Sequence, residues 1–103
     1  MSMIWVRDEK PIDPKEDPRL VQANFWDMPL HMKHSAMEIT EKVWHQKSDA
    51  GDRAEAIKKQ MDQMYGGKWA VMIGEFAFFV SHSKLLRLHV QGKTVVIFLP
   101  LLE

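Results

Sequence analysis

The 103-residue chain contains no cysteine. That excludes a disulfide framework, a thiolate zinc site and a cysteine nucleophile, and it fits a reducing compartment. Charge of one sign is lacking as well, since 14 basic side chains balance 14 acidic ones. Nucleic-acid binders ordinarily carry a basic surplus that neutralises phosphates, so nucleic acid is not an expected partner. Long apolar runs are missing too. None approaches the ~18 residues of a membrane span, and the opening seven residues are too short and polar for a signal peptide. What is present is ordinary: 46% hydrophobic and 27% charged residues describe one globular domain of modest core. The expectation is a soluble, intracellular single domain with no membrane insertion.

Proline is concentrated at the start, where Pro11, Pro14 and Pro18 alternate with charged residues. Each proline lacks an N–H and biases its predecessor away from helix. Residues 1–18 therefore read as an extended or flexible arm and residues 19–103 as the folded domain. Ile4, Trp5 and Val6 are the apolar exception, with the domain or a neighbour as the surface they would pack on.

The domain starts with a short strand candidate over residues 20–24. Asp27-Met28-Pro29 then opens a helix, with Asp27 as cap candidate and proline in the first turn. Met32, Ala36, Ile39 and Val43 recur at helical spacing and mark its buried stripe. Ser48-Asp49-Ala50-Gly51 reads as a turn. A second helix starts at Asp52, with Glu55 as the return half of a capping box, and ends at Gly66-Gly67. From Lys68 the period changes to 2, giving strand candidates over residues 69–73, 76–81, 85–90 and 94–99. Helices followed by strands indicate an α+β class, two helices packed on an antiparallel sheet.

The candidate over residues 76–81 is apolar on both faces: Phe76, Phe78 and Val80 on one, Ala77, Phe79 and Ser81 on the other. Such a strand is doubly covered or a liability at an edge. Two arrangements meet this: a plain hairpin over Gly74-Glu75, or a strand that covers its second face against another copy.

An ordered set of residues resembles the eight-kilodalton dynein light chain family. It comprises Ala56-Ile57-Lys58-Lys59, Tyr65, Trp69, Gly74, Phe76, Val80-Ser81-His82, Lys84 and Gly92 before an apolar strand. The likeness runs over residues 20–99. It implies a strand-swapped homodimer that binds short linear peptides of partner proteins by strand addition, dynein intermediate chain among them. The resemblance also implies a cytoplasmic, cytoskeleton-associated setting, no catalysis and no cofactor. Its implied groove consists of Phe76, Phe78, Phe79, Ser81 and His82 of one copy against Gly51 and Asp52 of the other. Leu88 and Val90 form its floor. Lys58, Lys59, Trp69, Ala70, Phe76, Phe79 and Ser81 are the implied dimer contacts. The swapped strand favours the second arrangement over the hairpin.

Departures from the family pattern bear on the groove. Ala50 and Gly51 stand where the family has an acidic residue and a lysine. Phe78 replaces a small hydroxyl residue, and Leu88 and Val90 replace aromatics. These changes should narrow or redirect peptide choice away from the family's Thr-Gln-Thr type motifs. Ala70 occupies the place of the family's interfacial histidine, whose charging makes dimerisation acid-sensitive. A divergent branch of the family lies behind EF-hands in flatworm tegument proteins, and the charged arm would suit such a linker. No EF-hand loop occurs in this chain. The alternative function is a structural dimerisation module with an altered or closed groove.

Other chemistry is weaker. His31 and His34 stand three apart on the first helix with His45 beyond, a spacing that could share a metal but reads first as solvated helix surface. Ser81, His82 and Ser83 invite a nucleophile reading, but no G-x-S-x-G elbow accompanies them. Lys58, Lys59 and Lys68 read as a solvated basic face. Met32, Met37, Met61, Met64 and Met72 read first as core, and then as the adaptable surface that thioethers provide.

Overall fold

A computed structural model describes residues 20–75 and 80–101 of the chain. The order is β1 (Val21–Asp27), α1 (Leu30–Gln46), α2 (Ala50–Tyr65), β2 (Ala70–Gly74), β3 (His82–Val90) and β4 (Lys93–Pro100). The four strands form one antiparallel sheet in the order β1-β3-β4-β2. The α+β expectation, two helices on an antiparallel sheet, describes this architecture. Of the strand candidate over residues 76–81, Phe76, Ala77, Phe78 and Phe79 lie outside the described residues. Val80 and Ser81 belong to no strand. The arm, residues 1–18, also lies outside.

Alternation along the strands sorts the sheet into two apolar faces. Leu86, Leu88 and Val90 of β3 with Val95 and Ile97 of β4 meet Met32, Ala36, Ile39, Val43, Ile57 and Met61 of the helices. The intervening residues Leu85, Val96 and Phe98 form a second cluster, joined by Ala70, Met72 and Val80. Both helices contribute to the first cluster, and among the described residues no helix covers the second.

The helix starts differ from the sequence reading. Asp27 caps nothing in α1. It still pairs with Leu85 as the last residue of β1, and Pro29 supplies the carbonyl that receives Met32 N–H and Lys33 N–H, both at 3.0 Å. In α2 the cap lies one turn earlier than Asp52. Asp49 has extended backbone and its Oδ2 accepts Asp52 N–H at 3.1 Å. The carboxylate thus meets one of the N–H groups that a helix start leaves without partners. A Cβ at Gly51 would come to 3.1 Å from that same oxygen, so the smallest residue leaves the cap undisturbed. Glu55 turns instead to Lys59, 3.4 Å away.

Arg53 joins the two helices. Its Nε donates to Lys47 O at 2.8 Å and its Nη2 to Trp44 O at 3.2 Å, closing carbonyls at the end of α1. The guanidinium lies 4.1 Å from the centroid of the Trp44 ring. Trp44 Nε1 in turn donates to Gln91 Oε1 at 3.1 Å, which ties α1 to the β3–β4 turn. On the other side of α1, Lys33 Nζ sits 3.7 Å from the Trp26 ring centroid and secures β1. The cap assignment has a direct test. Asp49→Ala should lower stability to urea by about 1 kcal/mol. Asp52→Ala, which loses only a favourable charge in the first turn, should cost no more than about 0.5 kcal/mol. The reverse order would return the cap to Asp52.

Candidate functional site

The sheet ends on two edges, and they are unlike. At β1 the register shifts between Ala23 and Phe25, so Asn24 is an extra residue that bends the strand. At the other end, β2 pairs with β4 in unbroken register from Ala70↔Phe98 to Gly74↔Thr94. Its outer edge has no strand beside it among the described residues. Helix α2 packs over this strand. An unpaired, regular strand edge flanked by a helix can accept a further strand through its backbone groups.

The turn from α2 into β2 is held by two side chains, those of Asp62 and Trp69. Asp62 Oδ1 accepts Trp69 N–H at 2.8 Å, and its Oδ2 accepts Lys58 Nζ at 2.6 Å. The backbone carbonyl of Asp62 receives Gly66 N–H at 2.8 Å. Trp69 Nε1 donates to Gly66 O at 2.9 Å, so both N–H groups of the tryptophan are used within the turn. These contacts, with Lys58 first and the Trp69 amide second, hold the Asp62 carboxyl below its ordinary value of 3.8.

Several residues singled out from the sequence have defined places in the fold. Leu88 and Val90 are fully buried within this chain, in the helix-facing core. Strand parity is the reason: they share a face with Leu86, while Arg87 and His89 between them are exposed. Trp69 is 2% exposed within its own chain. Its ring is drawn under α2, 6.5 Å from Tyr65. Lys58 is engaged with Asp62 and Lys59 with Glu55. Ala70 is half-buried and packs on the second face of the sheet. Gly51 and Asp52 are exposed in the first turn of α2. Phe76, Phe78 and Phe79 lie outside the described residues.

Ser81 is exposed, and its carbonyl accepts Leu101 N–H at 3.3 Å. His82 Nε2 lies 3.1 Å from Asp27 Oδ2, joining the start of β3 to the end of β1. Its Nδ1 lies 3.4 Å from Val80 O. Ser83 Oγ donates to Leu99 O at 3.3 Å. Among the described residues no serine hydroxyl bonds to His82, so the geometry of an activated nucleophile is not assembled there.

Asp62 was missed in the sequence, although a signal existed. An acid in the last turn of a helix opposes the macrodipole and therefore calls for a specific partner. Its lowered value has a defined consequence for stability. The folded carboxyl binds its proton at lower pH than the unfolded one, so its contribution is complete above the ordinary value of 3.8. As pH falls through that value the unfolded chain gains a proton first and the contribution shrinks, until the folded group is protonated too. Urea denaturation on the acid side of 3.8 should therefore show a shallower loss of stability for Asp62→Asn than for the wild type. Equal slopes would place the acid sensitivity elsewhere.

Comparison with known proteins adds sequence and fold relatives. The family model for dynein light chain type 1 matches residues 21–99. "Dynein light chain 1, cytoplasmic" of Debaryomyces hansenii is 30% identical over 71 residues, spanning 68% of this chain and 76% of that protein. "Dynein axonemal light chain 4" of Homo sapiens is 35% identical over 74 residues, spanning 68% of this chain and 70% of the relative. The dynein light chain-like domain of the calcium binding protein FhCaBP2 of Fasciola hepatica has the same fold. It superposes with a TM-score of 0.70 at 17% identity, over 89% of this chain and 100% of the domain. The match covers both helices and all four strands, and the chain belongs to the dynein light chain family.

Proposed function

We propose that this chain is a non-catalytic homodimeric adaptor that takes extended segments of partner proteins as added strands, in the manner of a light chain of a dynein complex. The observation that carries this is the sheet itself. It has a second apolar cluster on the face away from both helices, and it ends in a regular β2 edge with no partner among the described residues. A second copy related by a two-fold axis covers such a face self-complementarily. A strand beside β2 gains backbone hydrogen bonds, and the side of α2 supplies pockets for alternate side chains.

In this reading Phe76, Phe78, Phe79, Ser81 and His82 of one copy face Gly51 and Asp52 of the other across the groove. Partners are a second copy and linear motifs, with a segment of dynein intermediate chain as the first to try. The setting is the dynein complex, cytoplasmic and cytoskeleton-associated, with the axonemal relative showing that light chains of this family also occur in axonemes. Residues 1–18 act as an arm that leads into the folded domain, residues 19–103.

Sedimentation and calorimetry test the reading together. The chain should sediment as a dimer, and titration with extended peptides should release or absorb heat for a subset of them. Flat titrations across the peptides with an intact dimer would leave a structural dimerisation module. A monomer would overturn both. Because Ala70 brings no ionisable side chain to the second face, Ala70→His should make the dimer weaken more than the wild type does between about pH 7 and about pH 5, the range over which a histidine charges. Equal acid sensitivity of the two would contradict the assigned role of this position.

A further inference from the structure

We propose that Asp62 is a positioning residue for the β2 edge, setting through Trp69 how the strand that receives a second chain lies against α2. This deepens the preceding reading, on which it rests for the role of the edge.

The argument begins with the turn. Gly66 and Gly67 both have positive φ, 74° and 86°, so the chain reverses between α2 and β2 without side chains of its own to fix the reversal. The anchoring falls to the Trp69 indole, whose Nε1 donates to Gly66 O, and to Asp62, which meets the turn at both ends. Its backbone carbonyl holds Gly66 N–H at the near end, and its Oδ1 holds Trp69 N–H at the far end. Lys58 Nζ on Oδ2 leaves the carboxylate one orientation in which both contacts are made.

Trp69 is the residue immediately before β2. From there Val71 and Ile73 go to the helix-facing core, and Ala70 and Met72 to the second face. Strand parity makes this sorting all-or-none, since a slip of one residue exchanges the faces. Among the described residues β2 is held laterally by β4 alone. The Asp62 contact is then its tie to the helical layer at the end where the strand starts. Regular strand addition needs evenly placed N–H and C=O groups along the open edge, and those groups are placed by how β2 is held.

Hydrogen exchange and self-association on the full chain test this. Asp62→Ala should raise amide exchange at Trp69 and along residues 70–74 by about tenfold or more, relative to α1 and β3. It should weaken self-association by a similar factor. Asp62→Asn retains an oxygen that can accept the Trp69 amide and should restore most of both. Lys58→Met, which leaves the carboxylate in place but unsteered, should give a smaller rise confined to the same residues, and it serves if Asp62→Ala does not fold. A rise of equal size in β2, β3 and α1 would reduce Asp62 to a general contributor to stability and overturn the proposal. So would failure of Asp62→Asn to rescue. A wild-type chain that does not self-associate would overturn the proposed function, while the exchange pattern would still decide whether Asp62 holds the edge.

Discussion

Strand β4 puts Val95 and Ile97 under the helices and Val96 and Phe98 on the opposite face, all four of them buried. Its neighbour β3 does the same with Leu86 and Leu85. One face of the sheet is then apolar throughout, and the other is apolar over the patch of Leu85, Val96, Phe98, Ala70 and Met72, with Arg87 and His89 of β3 exposed beside it. The chain spends α1 and α2 on the first. They cannot be divided between the faces, because three residues, 47–49, separate the helices and Arg53 binds the end of α1 to the start of α2. The second face is therefore left to something other than a helix of the described chain. On this face Leu85, Val96 and Phe98 are already buried within the chain, and half-buried Ala70 and Met72 are the part that the proposed second copy would cover.

The two edges of the sheet differ in how readily they would take an added strand. An edge strand exposes backbone groups that any extended chain can pair with, and proteins blunt the edges they do not use. At β1 the extra Asn24 breaks the register, and Phe25 stands 48% exposed just beyond it. The β2 edge carries no such interruption: its five residues pair in step with β4 and all remain half-buried. One edge is bent and the other is straight, and the straight one lies beside α2.

Much of this was legible from periodicity alone. Met32, Ala36, Ile39 and Val43 announced the buried stripe of α1, and the change to period 2 after Lys68 announced the sheet. The ends of elements were less legible. Asp27, Asp49 and Asp52 are all plausible caps by composition, and only the backbone path shows that β1 runs through Asp27 and that α2 starts at Ala50. Leu88 and Val90 were legible in another way. Their alternation with Arg87 and His89 already places them on the core face. Asp62, Arg53 and Lys33 act across turns or between elements, so no local pattern reveals their partners.

Helix α2 is fixed at both ends, and this bears on how a groove beside it would select its ligand. At its start Asp49 closes the Asp52 amide and Arg53 grips the carbonyls of α1. At its end Asp62 holds the turn into β2. A wall pinned in this way does not have to be ordered when a strand arrives, so little of the association energy goes into immobilising it. The same rigidity limits adaptation, since a pinned helix cannot retreat to admit a larger side chain. Exposed Met64, two residues beyond Asp62 in the last turn of α2, is the kind of side chain that can still adjust. Selectivity along this edge would then come from shape fixed in advance on the α2 backbone, with adjustment confined to the side chains that line it.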